Sequence, residues 1–164
     1  TRYIGVTGVQ TCALPIFYPK NLCWIAKKEI EDIPLFGHII PAPRMISIDR
    51  KDKRSIIKMI KESKERISEG RVLAMFPEGT RGRGDRLLKF QSGAKILAEK
   101  LELIVQPAII VGARHILDSK SLDAHSGEVK VIYLDPIDPK EDEEWFEKMY
   151  RTMEERLTLE LASK

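Results

Sequence analysis

Residues Phe76-Pro-Glu-Gly-Thr-Arg81 place a carboxylate, a glycine, a hydroxyl and a guanidinium in one short stretch. Arg83, Arg86 and Lys89 follow closely, and the apolar run Val72-Leu73-Ala74-Met75 comes directly before. A buried strand emptying into such a loop is the layout of a pocket for a small phosphorylated ligand. Arginine suits that work because its planar fork matches phosphate oxygens with two parallel hydrogen bonds. Each residue alone has a plainer reading. Glu78 and Arg81 would make a local ion pair, Gly79 a turn, and Arg50 a surface charge after a strand.

The elements that must position these residues follow from periodicity and punctuation. Leu22 to Ala26 reads as a strand, Met45 to Ile48 as a short one ending at Asp49-Arg50, and Arg71 to Phe76 as a buried one. Asp52 to Glu69 is expected to be a helix with Ile56, Ile60 and Ile67 on one face and Ile57 beside them, stopped by Gly70. After the polar loop Pro77 to Lys89, Ser92 can cap a helix to Leu101 whose apolar face is Ala94, Leu97, Ala98 and Leu101. Leu103 to Val111 is a strand whose Pro107 points to an edge or a bulge. Gly112 to Gly127 is a polar excursion. Glu128 to Leu134 alternates Val129, Val131 and Tyr133 on one side. Lys140 to Leu161 is a charged amphipathic helix whose Trp145, Phe146, Met149, Met153, Leu157 and Leu161 suit core packing better than membrane binding. Strands alternating with helices predict a single α/β domain with a largely parallel mixed sheet flanked by helices.

Composition agrees with one globular domain. The 164 residues are 43% hydrophobic and 32% charged, with a net charge of +3. That charge is too weak alone to imply nucleic acid, and with 7% aromatics the basic clusters lack interleaved rings, so no nucleic-acid partner is expected. The clusters Arg50, Lys51, Lys53, Arg54 and Arg81, Arg83, Arg86, Lys89 can instead face a phosphate or an anionic membrane. Cys12 and Cys23 fit neither a zinc motif nor a disulfide framework, so a reducing compartment is the default expectation. No apolar run approaches the roughly 18 residues needed to cross a bilayer.

Several motifs fail on inspection. Gly79 to Gly84 has P-loop spacing, but Asp85-Arg86 stands where Lys-Ser/Thr is required. Gly82-x-Gly84 is followed by Leu87, not by a third glycine, and no strand immediately precedes it. There is no Gly-x-Ser-x-Gly elbow, and no cluster has metal-ligand spacing, so neither metal nor cofactor is expected.

The ordered blocks resemble the glycerolipid acyltransferases, specifically the 1-acylglycerol-3-phosphate acyltransferases. These blocks are Ala26-Lys-Lys-Glu-Ile30 with Ile33-Pro-Leu-Phe-Gly37, Ile48-Asp49-Arg50, Phe76 to Arg81 continued by Leu88-Lys-Phe90 and Gly93-Ala94, and Ile104 to Ile109. Gly82 stands where the family usually has Ser, and Gln106 is more polar than that strand's usual residue. The resemblance implies acyl transfer from acyl-CoA or acyl-carrier protein, as co-substrate, to the free hydroxyl of lysophosphatidic acid, giving phosphatidic acid. It implies Arg50 and Arg81 as phosphate ligands, with Lys28 a weaker candidate. Glu78 is then expected to fix arginine geometry or contact the acceptor hydroxyl, Gly79 to let the backbone approach, and Thr80 to contribute hydroxyl or amide. It also implies work at a membrane surface, on the cytoplasmic face of the inner (plasma) membrane, peripherally or through an N-terminal anchor missing here.

The family's catalytic His-x-x-x-x-Asp is not in this sequence. Five residues after His38, His115 and His125 stand Pro43, Lys120 and Lys130. His115-Ile-Leu-Asp118 falls in the wrong chain order and reads as loop. Residues 1–16 show no clear period, and Gly8 to Ile16 resembles translated sequencing-adapter read-through. We therefore expect a foreign or disordered segment at 1–16 and an acyltransferase domain fragment at 17–164, able to bind substrate but not to turn it over. The alternative is a non-catalytic lipid- or phosphate-binding domain.

Overall fold

The computed structural model describes residues 3–8, 21–28, 45–49, 52, 54–80, 82, 84–116 and 125–163. Their strands are β1 (Tyr3–Gly8), β2 (Leu22–Lys27), β3 (Ile46–Ile48), β4 (Val72–Met75), β5 (Ile104–Val111) and β6 (Lys130–Tyr133). The helices are α1 (Arg54–Ser68), α2 (Ser92–Lys100), α3 (Ala113–Ile116) and α4 (Trp145–Ala162). The strands form one sheet in the order β3-β2-β4-β1-β5-β6. All neighbours are parallel except β5 and β6. This is the expected largely parallel mixed sheet.

Burial on both faces explains the apolar run of β4, where all four residues are buried. On one face Cys23, Ile25, Leu73, Val105 and Ile109 meet Met59 of α1, Leu97 and Ala98 of α2, and Trp145, Met149, Met153 and Leu157 of α4. On the other, Leu22, Trp24, Val129 and Val131 gather around Ile110 and Ala113. The apolar stripe of α4 therefore packs on the sheet. Among the described residues, no helix is long and apolar enough to cross a membrane.

Helix ends follow local chemistry. The Asp52 carboxylate accepts the Arg54 N–H at 2.8 Å at the start of α1. At its end Gly70 takes φ 78°, the Gly70 N–H donates to Ile67, and the Arg71 N–H donates to Arg66. That pair of bonds closes a helix through a left-handed glycine.

Three expectations need correction. Ser92 is not a cap: it is the first helical residue of α2, and Gln91 precedes it without a side-chain capping bond. The last helix starts at Trp145 rather than Lys140, because the Asp142 carboxylate binds the Glu144 N–H and the Lys148 ammonium and holds that stretch in turns. Residues 1–16 show no period in sequence, yet Tyr3–Gly8 is a strand between β4 and β5; two glycines dilute the pattern.

Pro107 is also informative. It lies in an interior strand, flanked by β1 and β6, not at an edge. Between the pairs Ala108–Tyr133 and Val105–Ile137, residues 106–107 face 134–136, so one side carries an extra residue. That is a bulge, and the N–H that proline lacks falls at the break in the ladder. The polar Gln106 has its reason here too: its side-chain amide donates to the Leu134 carbonyl inside the bulge.

Candidate functional site

Parallel pairing brings three separate sequence blocks to one edge of the sheet. Lys27 pairs with Ile48, and Ile25 with Met75, so β2, β3 and β4 end side by side. Lys28 is the first residue past β2, Asp49 the first past β3, and Phe76 the first past β4. In open parallel sheets this carboxyl edge is where ligands bind. β1 ends there as well, since Val6 pairs with Met75.

The loop after β4 is held at many points. Phe76 stacks on Trp24 of β2, with ring centroids 5.3 Å apart and planes 12° from parallel. The Gly79 N–H closes a tight turn on the Phe76 carbonyl at 3.0 Å, and Gly79 takes φ 66°. A side chain there would be strained, which is why the turn uses glycine. The Pro77 carbonyl accepts the Gln91 N–H at 2.8 Å, tying the loop to the start of α2.

Glu78 is the centre of this arrangement. It is only 3% exposed, and its Oε2 accepts the Leu88 N–H at 2.9 Å. A buried carboxylate needs such bonds to offset lost hydration. A Cβ added at Gly82 would lie 3.3 Å from the same oxygen, so the residue at 82 sets how closely the loop folds over Glu78.

On either side of Leu88 the loop is anchored by buried Leu87 and Phe90. Phe90 meets Phe146 and, edge-on at 5.0 Å, Tyr150 of α4. The Tyr150 hydroxyl lies 3.4 Å from the Leu87 carbonyl and 3.1 Å from Glu154 Oε1. Burial, then the Glu154 carboxylate and the charge of Glu78, push the Tyr150 phenol above its ordinary value, while Arg86 opposes them.

The expected site residues divide accordingly. Glu78 and Gly79 are buried within the loop, and Thr80 and Lys28 are exposed at the same sheet edge. Arg50 and Arg81 lie outside the described residues, as do Arg83 and His38. The side chain of His115 is likewise outside them. His125 is exposed, and its backbone N–H bonds to Ile116. The sequence does not single out Trp24, Gln91 or Tyr150, and it offers Leu88 only as part of a family block. Their contacts span long separations, and no local pattern marks them. Among the described residues, no group of three His, Cys, Asp or Glu side chains could hold a metal ion.

With this geometry in view, comparison with known proteins is decisive on family. The family model "Acyltransferase" matches residues 9–111, more than half of the sequence. The chain belongs to the acyltransferase family. As an acyltransferase-family chain it is 40% identical over 143 residues to 1-acyl-sn-glycerol-3-phosphate acyltransferase of Helicobacter pylori, a match covering 86% of this chain and 60% of that protein. It is 34% identical over 127 residues to the Cocos nucifera protein of the same name, covering 77% and 41%. The crystal structure of the 1-acyl-sn-glycerophosphate (LPA) acyltransferase PlsC from Thermotoga maritima superposes with a TM-score of 0.76 at 25% identity, covering 99% of this chain and 67% of that one. This acyltransferase chain thus spans about 60% of the length of its Helicobacter relative.

Proposed function

We propose that the sheet edge carrying Lys28, Asp49 and Phe76–Thr80 is the acceptor half of a lysophosphatidate acyltransferase site. The observation that carries this is the convergence of three separate blocks at one carboxyl edge around a pinned Glu78 loop. Arg50 directly follows Asp49 in the sequence and Arg81 directly follows Thr80, and these are the two arginines of the family blocks. They are assigned to the acceptor phosphate, with Lys28 a longer-range cation. The buried Glu78 latch fixes the turn that leads to Thr80. The parent reaction joins the acceptor's free hydroxyl to the acyl carbonyl of acyl-CoA or acyl-carrier protein, releases the thiol and yields phosphatidic acid. Its setting is the cytoplasmic face of the inner membrane, where the lipid acceptor resides.

A second reading rests on one sequence fact. No His-x-x-x-x-Asp occurs in the 164 residues, so no general base of that kind can take the hydroxyl proton. This polypeptide is then a substrate binder without turnover. Incubating it with acyl-CoA, or with acyl-carrier protein, and lysophosphatidate while following phosphatidate tests both readings. Binding without product is expected. Product formation would refute the binder reading, and neither binding nor product would contradict the acceptor site itself.

A further inference from the structure

We infer that the outer face of α1 is an electrostatic docking surface for an anionic lipid bilayer. Arg54, Ile57, Lys58, Lys61 and Lys64 recur at three- and four-residue spacing, and all five are exposed. Ile57 is 71% exposed, the most exposed of the large hydrophobic residues in the described core and surface. The same helix already spends Ile56, Met59, Ile60 and Ile67 on the core. Ile57 is thus left among cations, where an apolar tip can enter the headgroup layer while the lysine stems lie along it.

The charge is also one-sided. In α1 five basic residues stand against Glu62 and Glu65. Lys58 pairs with Glu62 only at 3.7 Å, with its side chain 62% exposed. Residues 138–162, which include α4, carry nine carboxylates against four basic residues. Both helices cover the same face of the sheet, α1 over β3 and β4 and α4 over β5, so an anionic surface attracts the α1 end of that layer and is repelled at the α4 end, which tilts the domain toward α1. Position adds a reason. The Asp49 N–H donates to the Ser55 hydroxyl at 3.2 Å, fastening the first turn of α1 to the sheet edge that holds the site. A bilayer held against α1 lies beside that edge. The choice of lipid over nucleic acid rests on the acceptor reading above.

The test is sedimentation of the 164-residue chain with vesicles of phosphatidylcholine, alone or with phosphatidylglycerol. Binding to the anionic vesicles, weakened by salt, is expected. Lys58→Ala with Lys61→Ala and Lys64→Ala should reduce it about a hundred-fold, from the contribution of each lysine near an anionic surface. Ile57→Ser should reduce it less, and in a way that salt does not change. The charge-matched variant Lys148→Ala, Arg151→Ala, Arg156→Ala on α4 should bind as the parent does. Circular dichroism confirms that each exposed-face variant folds. Equal loss in the two triple variants, equal binding to neutral vesicles, no vesicle binding, or tighter binding to DNA would each overturn the proposal. Titration with a short-chain, monomeric lysophosphatidate separates the two claims: the α1 triple variant keeps that affinity if only docking is lost.

Discussion

The Glu78 carboxylate accepts the backbone N–H of Leu88 at 2.9 Å while almost wholly buried. This bond closes the loop that follows β4 and holds in place the turn that leads to Thr80. Glu78→Ala leaves the Leu88 N–H without that acceptor, and should destabilise the fold by about 2 kcal/mol. Glu78→Gln keeps an acceptor oxygen and should cost about half as much. Urea denaturation checks the order. Equal stability of all three proteins would show that the bond is incidental.

Gly79 and Gly82 should respond differently. Gly79 has φ 66°, so Gly79→Ala should cost about 1–2 kcal/mol from backbone strain. A Cβ at Gly82 sits 3.3 Å from Glu78 Oε2, a contact the carboxylate can relieve by a small shift. Gly82→Ser, which installs the residue usual in the family, should stay within about 1 kcal/mol of the parent. Denaturation midpoints of the two variants decide the point.

Packing of α4 on the sheet gives a third expectation. Met153 is fully buried, and Met153→Ala should cost about 2–5 kcal/mol. Leu159 on the same helix is 67% exposed, and Leu159→Ala should change stability by less than about 0.5 kcal/mol. Thermal unfolding reads both. A helix used mainly as a membrane binder would show little difference between the two.

Tyr150 links the loop to pH. Its phenol is raised above the ordinary value of 10.0, first by burial and then by Glu154. The folded state therefore holds the phenolic proton more tightly than the unfolded chain. Its contribution is fully present below pH 10 and is lost as pH rises through the folded value. Stability between pH 9 and 11 should fall more steeply for the parent than for Tyr150→Phe. Parallel slopes would remove Tyr150 from the account.

Much of this was legible in sequence because it is local. Gly70 ends α1 as its position suggested, and the apolar periods of α2 and α4 mark their buried faces. The family blocks pointed to the loop after β4, and parallel pairing brings those blocks together. What escaped depends on phase or distance. The buried face of α1 centres on Met59 and Ser63, so Ile57 falls outside it although it adjoins Ile56 in sequence. Leu87 is buried in a stretch that reads as polar loop, because a loop has no period to mark an inward residue. Trp24 on Phe76 and Tyr150 beside Leu87 arise only once distant elements pack.

The central claim is that the carboxyl edge of β2, β3 and β4 binds the acceptor's phosphate. Calorimetric titration of the 164-residue chain with short-chain lysophosphatidate tests it most directly, with the matching monoacylglycerol as the phosphate-free control. The account predicts binding that requires the phosphate and weakens about 10- to 100-fold in Arg81→Ala and in Arg50→Ala, the loss expected for charge-assisted hydrogen bonds. Equal affinity for the phosphate-free lipid, or unchanged affinity in both arginine variants, would contradict it.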